Sequence, residues 1–133
     1  MKQQLLDTLE QIAGKENIHP NEPMSRHTTF RVGGPADVLV TLEAEKLAAV
    51  TGACREPYYI VGNGSNLLVG DGGIRGVVIF TRDGMDEISA DGVRITAGAG
   101  ALLSRTASLA ASHALTGMEF AAGIPGTIGG AVV

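Results

Sequence analysis

The sequence predicts an α+β fold with an α/β-like core, and three observations support this class. Strand, helix and strand patterns follow one another between residues 36 and 61, Asp91-Gly92 separates two alternating segments, and glycine is abundant. Strands joined by one helix commonly lie parallel, whereas Asp-Gly between alternating segments is typical of a hairpin. The 19 glycines are roughly twice the usual content. Because they adjoin Ile, Val and Leu, they indicate tight turns in a folded chain rather than disorder.

The N-terminal residues have the pattern of a short amphipathic helix. Apolar side chains recur at spacings of one, three or four over residues 2–13, and Gly14 follows as a left-handed stop. Residues 15–25 are polar and contain Pro20 and Pro23, which predicts an extended connection. We therefore expect an N-terminal helix and connection at residues 1–20 and the main domain at residues 21–133.

The main domain alternates strands and helices. Strands are predicted where short β-branched or aromatic segments occur, at residues 36–41, 58–61, 76–81, 88–90 and 93–97. Helices are predicted where Ala and Leu predominate, at residues 43–54 and 101–115, the second ending at Gly117. The glycine-rich, apolar residues 117–133 have the pattern of neither an ordinary loop nor an ordinary helix.

Composition excludes several classes of function. The formal charge is -4 and the arginines are scattered, so no basic stripe is available for a nucleic-acid backbone. The apolar runs are far shorter than the ~20 residues needed to span a bilayer, and the N-terminus lacks the apolar core of a signal peptide. The single cysteine, Cys54, forms no intrachain disulfide, which favours a reducing compartment and predicts a cytoplasmic protein.

A first glycine-rich turn, Gly62-Asn63-Gly64-Ser65-Asn66, directly follows a predicted strand. Successive backbone N–H groups in such a turn can converge on one anion. The dinucleotide fingerprint is absent because Leu67 stands where its last glycine belongs, and no Gly-Lys-Ser/Thr of a Walker A loop occurs. A phosphate nest and a tight turn without ligand both remain open from the residues alone.

A second glycine-rich segment occupies residues 121–130 and has one threonine hydroxyl and little side-chain bulk. Its backbone could approach a flat or phosphorylated ligand closely, although close helix packing by small residues has the same pattern. Gly98-Ala99-Gly100 is a weaker candidate, since alone it more often forms a strand-to-helix turn.

The reactive residue types offer no catalytic constellation. No metal-ligand spacing involves the three histidines, which are predicted to be surface or capping residues: His19, His27 and His113. Cys54 is predicted to pack in the interior. The acidic residues between strands suit a solvated turn: Asp83, Asp86 and Glu87. Phosphate-compatible turns without a reactive side chain are expected where a cofactor performs the chemistry.

Three segments occur in one order: Arg26 to Ala36, Gly62 to Leu68, and Gly123 to Ala131. Together they resemble the UDP-N-acetylenolpyruvoylglucosamine reductases, also called UDP-N-acetylmuramate dehydrogenases. The resemblance implies a flavoenzyme that passes hydride from NADPH through FAD to the enolpyruvyl ether of a UDP-sugar, making UDP-N-acetylmuramate for peptidoglycan. It also implies a two-lobed FAD-binding domain of the vanillyl-alcohol-oxidase type.

By this resemblance, residues 21–133 form an FAD-binding domain that is incomplete at its C-terminal end. The separate domain that binds the UDP-sugar is absent from the sequence. We therefore expect the chain to be an N-terminal portion that is inactive by itself.

The resemblance also implies cofactor-binding residues, and no catalytic or metal-binding ones. The loop at the FAD pyrophosphate comprises Gly62, Asn63, Gly64, Ser65, Asn66 and Leu67. The loop along the cofactor's other side comprises Gly123, Ile124, Pro125, Gly126, Thr127, Ile128 and Gly129. Thr28 and Thr29 match a segment near the flavin, and Gly98, Ala99 and Gly100 are expected to line the same cleft.

Two other hypotheses stay open from the sequence. One is a non-catalytic module that binds FAD or a nucleotide, and the other is a different oxidoreductase with the same FAD fold. Enzymes of the second kind commonly attach flavin to a His or Cys in a glycine-rich loop. Neither His27 nor Cys54 lies in such a loop, so we predict that FAD is bound non-covalently.

Overall fold

The computed structural model describes residues 3–133 of the chain. The α-helices are α1 Gln3–Ala13, α2 Leu47–Ala53, α3 Leu103–Ser112 and α4 Ile128–Val132. The strands are β1 Ile18–Pro23, β2 Pro35–Thr41, β3 Tyr58–Val61, β4 Ile74–Phe80, β5 Ile88–Asp91 and β6 Arg94–Ala97. Short 3₁₀ turns cover Lys15–Asn17, Met24–Arg26, Ala44–Lys46 and Glu119–Ala121.

The N-terminal helix is confirmed from Gln3 onward, and residue 2 of its predicted range lies outside the described residues. Leu5, Leu9 and Ala13 bury one face of α1 because residues three or four apart share a helix face. The helix ends at Gly14, whose φ of +89° takes the chain out of the helical conformation.

The main sheet has four strands in the order β1-β2-β4-β3. β2 and β3 both run parallel to β4, so the predicted parallel direction of the two strands is confirmed, but β4 lies between them. Val77, Val78 and Ile79 of β4 are fully buried. A strand that is apolar on both faces belongs in the middle of a sheet covered on both sides, which explains the order.

Residues 15–25 form more than the extended connection that their prolines predict. They contain a 3₁₀ turn and β1, which pairs antiparallel with β2 through partners such as His19 and Leu39. Pro20 and Pro23 are tolerated because β1 is an edge strand, where a missing N–H need not interrupt the ladder. The predicted division between residues 20 and 21 falls inside this strand.

Apolar clusters cover both faces of the sheet. Alternate residues of a strand point to opposite faces, so Val38 and Val40 pack with α1 and Val50 of α2, whereas Leu39 joins the other cluster. That second cluster contains Met24, Val61, Val69, Val78 and Phe80, with Leu67 packed against it. It therefore supports the chain segment that follows β3.

The C-terminal third packs as a smaller layer. The predicted hairpin is confirmed as β5 and β6, with the pair Asp91–Arg94 closing it, so its central residues are Gly92 and Val93 rather than Asp91 and Gly92. Gly92 has φ +60° at the first central position, as a two-residue hairpin turn requires.

The helices of the main domain are shorter than their patterns predict. α2 and α3 occupy only part of residues 43–54 and 101–115. Residues 117–133, which were expected to be neither an ordinary loop nor an ordinary helix, contain a 3₁₀ turn and the short helix α4, which Thr127 caps. Within residues 3–133, no helix is both long and apolar enough to cross a membrane.

Cys54 ends α2 and packs, partly buried, against the cluster beneath α1. Burial raises the pKa of its thiol, and the negative charge of Glu56 raises that pKa further. The thiolate is the reactive form, so a raised pKa means a smaller reactive fraction at any pH below it. We expect Cys54 to react with a thiol-specific disulfide reagent at pH 8 more slowly than free cysteine does.

A glutamine substitution separates the two causes. Glu56→Gln removes the charge and is expected to speed the reaction, whereas Glu87→Gln, on an exposed turn, is a matched control without effect. Slower reaction of Glu56→Gln, or faster reaction of the wild type than of free cysteine, would contradict the expected direction.

Candidate functional site

The segment after β3, residues 62–67, is held in place by backbone contacts. Thr81 donates from its N–H to the carbonyl of Val61 at 2.9 Å, which fixes the end of β3. Thr29 donates to the carbonyl of Gly64 at 3.1 Å. Gly64 has φ +67°, and a Cβ built there would overlap the carbonyl oxygen of His27. Only glycine combines this backbone conformation with this approach.

A second segment, residues 124–131, lies opposite the first and is also anchored. Leu103 donates to the carbonyl of Gly126 at 3.0 Å, and Ile128 donates to that of Ala101 at 2.9 Å. The side chain of Thr127 is almost fully buried, and its Oγ1 accepts from the N–H of Gly130 at 3.2 Å. This side chain thus caps α4 and fixes where the segment turns.

The two segments enclose a groove of about 250 Å³. They meet where a Cβ built at Gly62 would overlap Oγ1 of Thr127. Residues about sixty positions apart in sequence therefore face each other across a narrow space. The lining consists of Ile60, Val61, Gly62, Asn63, Gly64, Ser65, Asn66, Leu67, Leu103, Ile124, Pro125, Gly126, Thr127, Gly130 and Ala131.

Most of the residues singled out from the sequence line this groove, and the rest lie around it. Thr28 and Thr29 line a neighbouring cleft together with Asn63. Gly123, Ile128 and Gly129 do not line the groove. Ile128 instead packs toward Leu103, and Gly129 donates to the carbonyl of Ala99 at 2.8 Å.

Residues 98–100, which were expected to line the same cleft, do not line the groove between the two segments. Gly100 lies against the carbonyl of Thr81, where a Cβ would overlap it, and Gly98 lines a separate cleft beside β5 and β6. The carbonyl of Ala99 accepts a hydrogen bond from the N–H of Gly129 in α4. These residues form the strand-to-helix turn that their sequence alone favours, so they support the groove from outside.

Asn63 joins the groove to the neighbouring cleft, since it lines both. Its Nδ2 donates to Oγ of Ser65 at 3.0 Å. Its Oδ1 is buried and has no hydrogen-bond partner. A buried polar atom without a partner is uncommon in folded proteins and points to a group that binds there.

The neighbouring cleft was not anticipated from the sequence. It has a volume of about 700 Å³ and is lined by three arginines: Arg26 and Arg31, which are five positions apart, and the distant Arg82. His27 also lines it, half-buried, with its Nε2 at 2.8 Å from Oε1 of Glu22 and its ring edge-on to Phe80 at 5.3 Å. His27 is also the C-cap of the 3₁₀ turn Met24–Arg26, which agrees with the prediction of a surface or capping residue, although its ring is partly buried.

The groove suits the phosphate-bearing part of a flavin nucleotide. Among the described residues that line it, none has a charged side chain, so a pyrophosphate meets no carboxylate there. Backbone amides and the hydroxyls of Ser65 and Thr127 are available as donors instead. The unpartnered Asn63 Oδ1 is an acceptor, so it would suit a hydroxyl or N–H donor of the ligand rather than a phosphate oxygen. No cluster of metal ligands occurs within the described part of the chain.

Beyond the groove, hydrogen bonds from the backbone N–H groups of Glu119 and Gly117 lower the pKa of the exposed Glu119 carboxyl.

The comparisons with known proteins agree with this fit. A family model described as "FAD binding domain" matches residues 35–133. The chain belongs to this family of FAD-binding domains, which confirms the predicted fold class and the assignment of FAD as cofactor.

Two relatives from different organisms have the same name. The UDP-N-acetylenolpyruvoylglucosamine reductase of Clostridium novyi (strain NT) is 50% identical over 128 residues, covering 93% of this chain and 41% of the relative. The reductase of the same name from Caldanaerobacter subterraneus subsp. tengcongensis is 47% identical over 137 residues, covering 100% of this chain and 45% of the relative.

A solved structure gives the same result. The crystal structure of UDP-N-acetylenolpyruvylglucosamine reductase from Thermus caldophilus matches with a TM-score of 0.69 and 41% identity, over 83% of this chain and 39% of that one. The chain thus spans about two fifths of the length of the relatives it matches. The resemblance drawn from the three sequence segments is confirmed.

Proposed function

We propose that the chain is the cofactor-binding portion of a reductase that converts UDP-N-acetylglucosamine enolpyruvate to UDP-N-acetylmuramate in peptidoglycan synthesis. NADPH is the reductant in this proposal. The observation that carries it is the uncharged groove between the two glycine-rich segments. The names of the relatives supply the reaction and the UDP-sugar substrate. The lone, partly buried Cys54 supports a cytoplasmic location.

The groove residues would hold FAD from two sides. The backbone of Gly62 to Asn66 faces the space in which a pyrophosphate fits, and Thr127 closes it from the other side. Thr28 and Thr29 border the adjoining cleft, where they would lie near the cofactor. FAD supplies hydride transfer when it is bound.

The contribution of this chain to the reaction is to bind and orient. Ile124 and Pro125 line one side of the groove and Leu67 the other, which keeps water away from a bound cofactor. Fixed backbone donors stabilise phosphate charge without having to reorganise on binding. We assign no proton donor and no substrate-polarising cation to this chain. The domain boundary at residue 21 and a separate substrate-binding domain are part of the same proposal.

Flavin titration tests the proposed cofactor site. We expect the purified chain to quench the fluorescence of added FAD in a saturable manner, and to release all flavin into the supernatant on acid precipitation. Release is expected because neither candidate for covalent attachment is available to the flavin. Cys54 lies on the far side of the sheet, next to α1, and Nε2 of His27 is hydrogen-bonded to Glu22.

Riboflavin is the matched control ligand, since it lacks the pyrophosphate that the groove would hold. Equal affinity for riboflavin and FAD would contradict the phosphate role of the groove. Flavin that stays with the precipitate would contradict non-covalent binding.

A further inference from the structure

We infer that Glu22 and His27 are positioning residues for the cofactor loop, residues 62–66. The pair lies outside the groove and is not among the residues singled out for binding FAD. The inference deepens the proposed function and rests on it, since it concerns the same loop. It assigns the pair the task of holding the backbone of residues 27–29 against Gly64.

The imidazole of His27 is fixed on two sides. Its Nε2 lies 2.8 Å from Oε1 of Glu22 on β1, and its ring meets Phe80 edge-on at the end of β4. The N–H of His27 also donates to the carbonyl of Met24 at 2.9 Å. β1 and β4 are both strands of the main sheet, so the ring is tied to the rigid part of the fold.

The backbone of the same residue supports the cofactor loop. The carbonyl oxygen of His27 lies where a Cβ of Gly64 would be, and the N–H of Thr29 donates to the carbonyl of Gly64 at 3.1 Å. Two contacts therefore join residues 27–29 to the centre of the loop. Anchoring the His27 ring restrains the Cα of the residue whose carbonyl faces Gly64, which limits how far residues 27–29 can move away from the loop.

Few other side-chain contacts hold residues 27–31 against β1. Residues 28–31 are mostly exposed turns, with Arg31 at φ +54°, and Thr28 Oγ1 donates locally to the carbonyl of Val32 at 3.1 Å. Arg26 approaches Glu22 only at 3.9 Å and is largely exposed, which makes it a weak alternative partner. The Glu22–His27 contact is thus the side-chain link that fixes this segment to β1.

The experiment compares substitutions that remove the contact with one that retains it. We expect Glu22→Leu and His27→Phe each to weaken FAD binding about five- to tenfold, the range of one hydrogen bond in a partly buried setting. Glu22→Gln keeps an acceptor for the imidazole N–H and is expected to bind within about twofold of wild type. Thr41→Val is the matched control, because it deletes the part-buried bond to Asn17 at the other end of β1 and β2.

Amide hydrogen exchange without FAD supplies a readout that general destabilisation does not reproduce. In Glu22→Leu the N–H of Thr29 is expected to exchange about tenfold faster, since local opening frees its bond to Gly64. The N–H of Val77, which donates to Pro57 at 2.9 Å, is expected to exchange at the wild-type rate in the same sample. Equal acceleration of both amides would overturn the inference.

Two outcomes of the titration have different meanings. If Glu22→Leu binds FAD as tightly as Thr41→Val while Gly64→Val binds poorly, the pair is not a positioning device and the cofactor site stands. If Gly64→Val also binds FAD as well as wild type, the cofactor site itself is refuted and the inference falls with it.

Discussion

Gly64→Val is expected to weaken FAD binding about a hundredfold, whereas Gly92→Ala is expected to leave it within about twofold of wild type. Both glycines have a left-handed backbone, with φ +67° at Gly64 and +60° at Gly92. They differ in their surroundings. A Cβ at Gly64 would overlap the His27 carbonyl, and a Cβ at Gly92 would meet nothing within 4 Å.

The magnitude follows from strain in the loop. The Gly64 variant relieves the overlap by moving its loop away from residues 27–29, and FAD has to restore the original backbone in order to bind. Strain of about 3 kcal/mol at one forced position corresponds to about a hundredfold in affinity. Gly92→Ala carries only the left-handed penalty of ~1 kcal/mol, in a hairpin remote from the groove.

Fluorescence titration with FAD measures the two affinities, and circular dichroism confirms that both variants are folded. Both variants carry a left-handed penalty, larger for the β-branched Val than for Ala, and only the Gly64 variant adds the overlap with His27. Equal affinities in two folded variants would remove the cofactor role from residues 62–66.

Local chemistry explains which parts of the fold were predictable. Gly14 ends α1 and Gly92 turns the hairpin because their neighbours in sequence already determine the backbone that they need. The two glycine-rich segments were identified in the same way, from residue types that allow close approach.

Long-range pairing explains what was missed. Nothing in residues 18–23 distinguishes an edge strand from an extended connection, since the pairing with β2 supplies the difference. The position of β4 between β2 and β3 depends on which strand is buried on both faces. The pattern of residues 18–23 does not encode the first fact, whereas the continuous apolar run of β4 agrees with the second without naming its neighbours.

The missed cleft has the same origin. Arg82, which follows β4, is brought to the cleft of Arg26 and Arg31 by the fold and not by local spacing. Glu22 and His27 lie only five positions apart, but a turn of the 3₁₀ type separates them. Their contact is therefore not a recognisable helical or strand spacing.

Gly62→Ala is expected to weaken FAD binding about tenfold, and Thr127→Ala is expected to restore part of that loss in the double variant. A Cβ at Gly62 would overlap Oγ1 of Thr127 and lie 3.2 Å from its Cβ and Cγ2. Thr127 cannot rotate away, because its side chain is nearly fully buried and caps α4. The added methyl group therefore pushes the two segments apart and misaligns the groove.

A double-mutant cycle tests whether this one contact sets the width of the groove. Thr127→Ala alone loses the cap, at about 1 kcal/mol of stability, and is expected to bind FAD a few-fold more weakly. Combined with Gly62→Ala it removes Oγ1 and Cγ2, so only the Cβ contact at 3.2 Å remains, and affinity should exceed that of Gly62→Ala alone. Gly70→Ala, where a Cβ would meet nothing within 4 Å, is the control without effect. Strictly additive losses would mean that Gly62 acts on FAD directly and not through Thr127, because residues that share a contact couple energetically whereas independent sites do not.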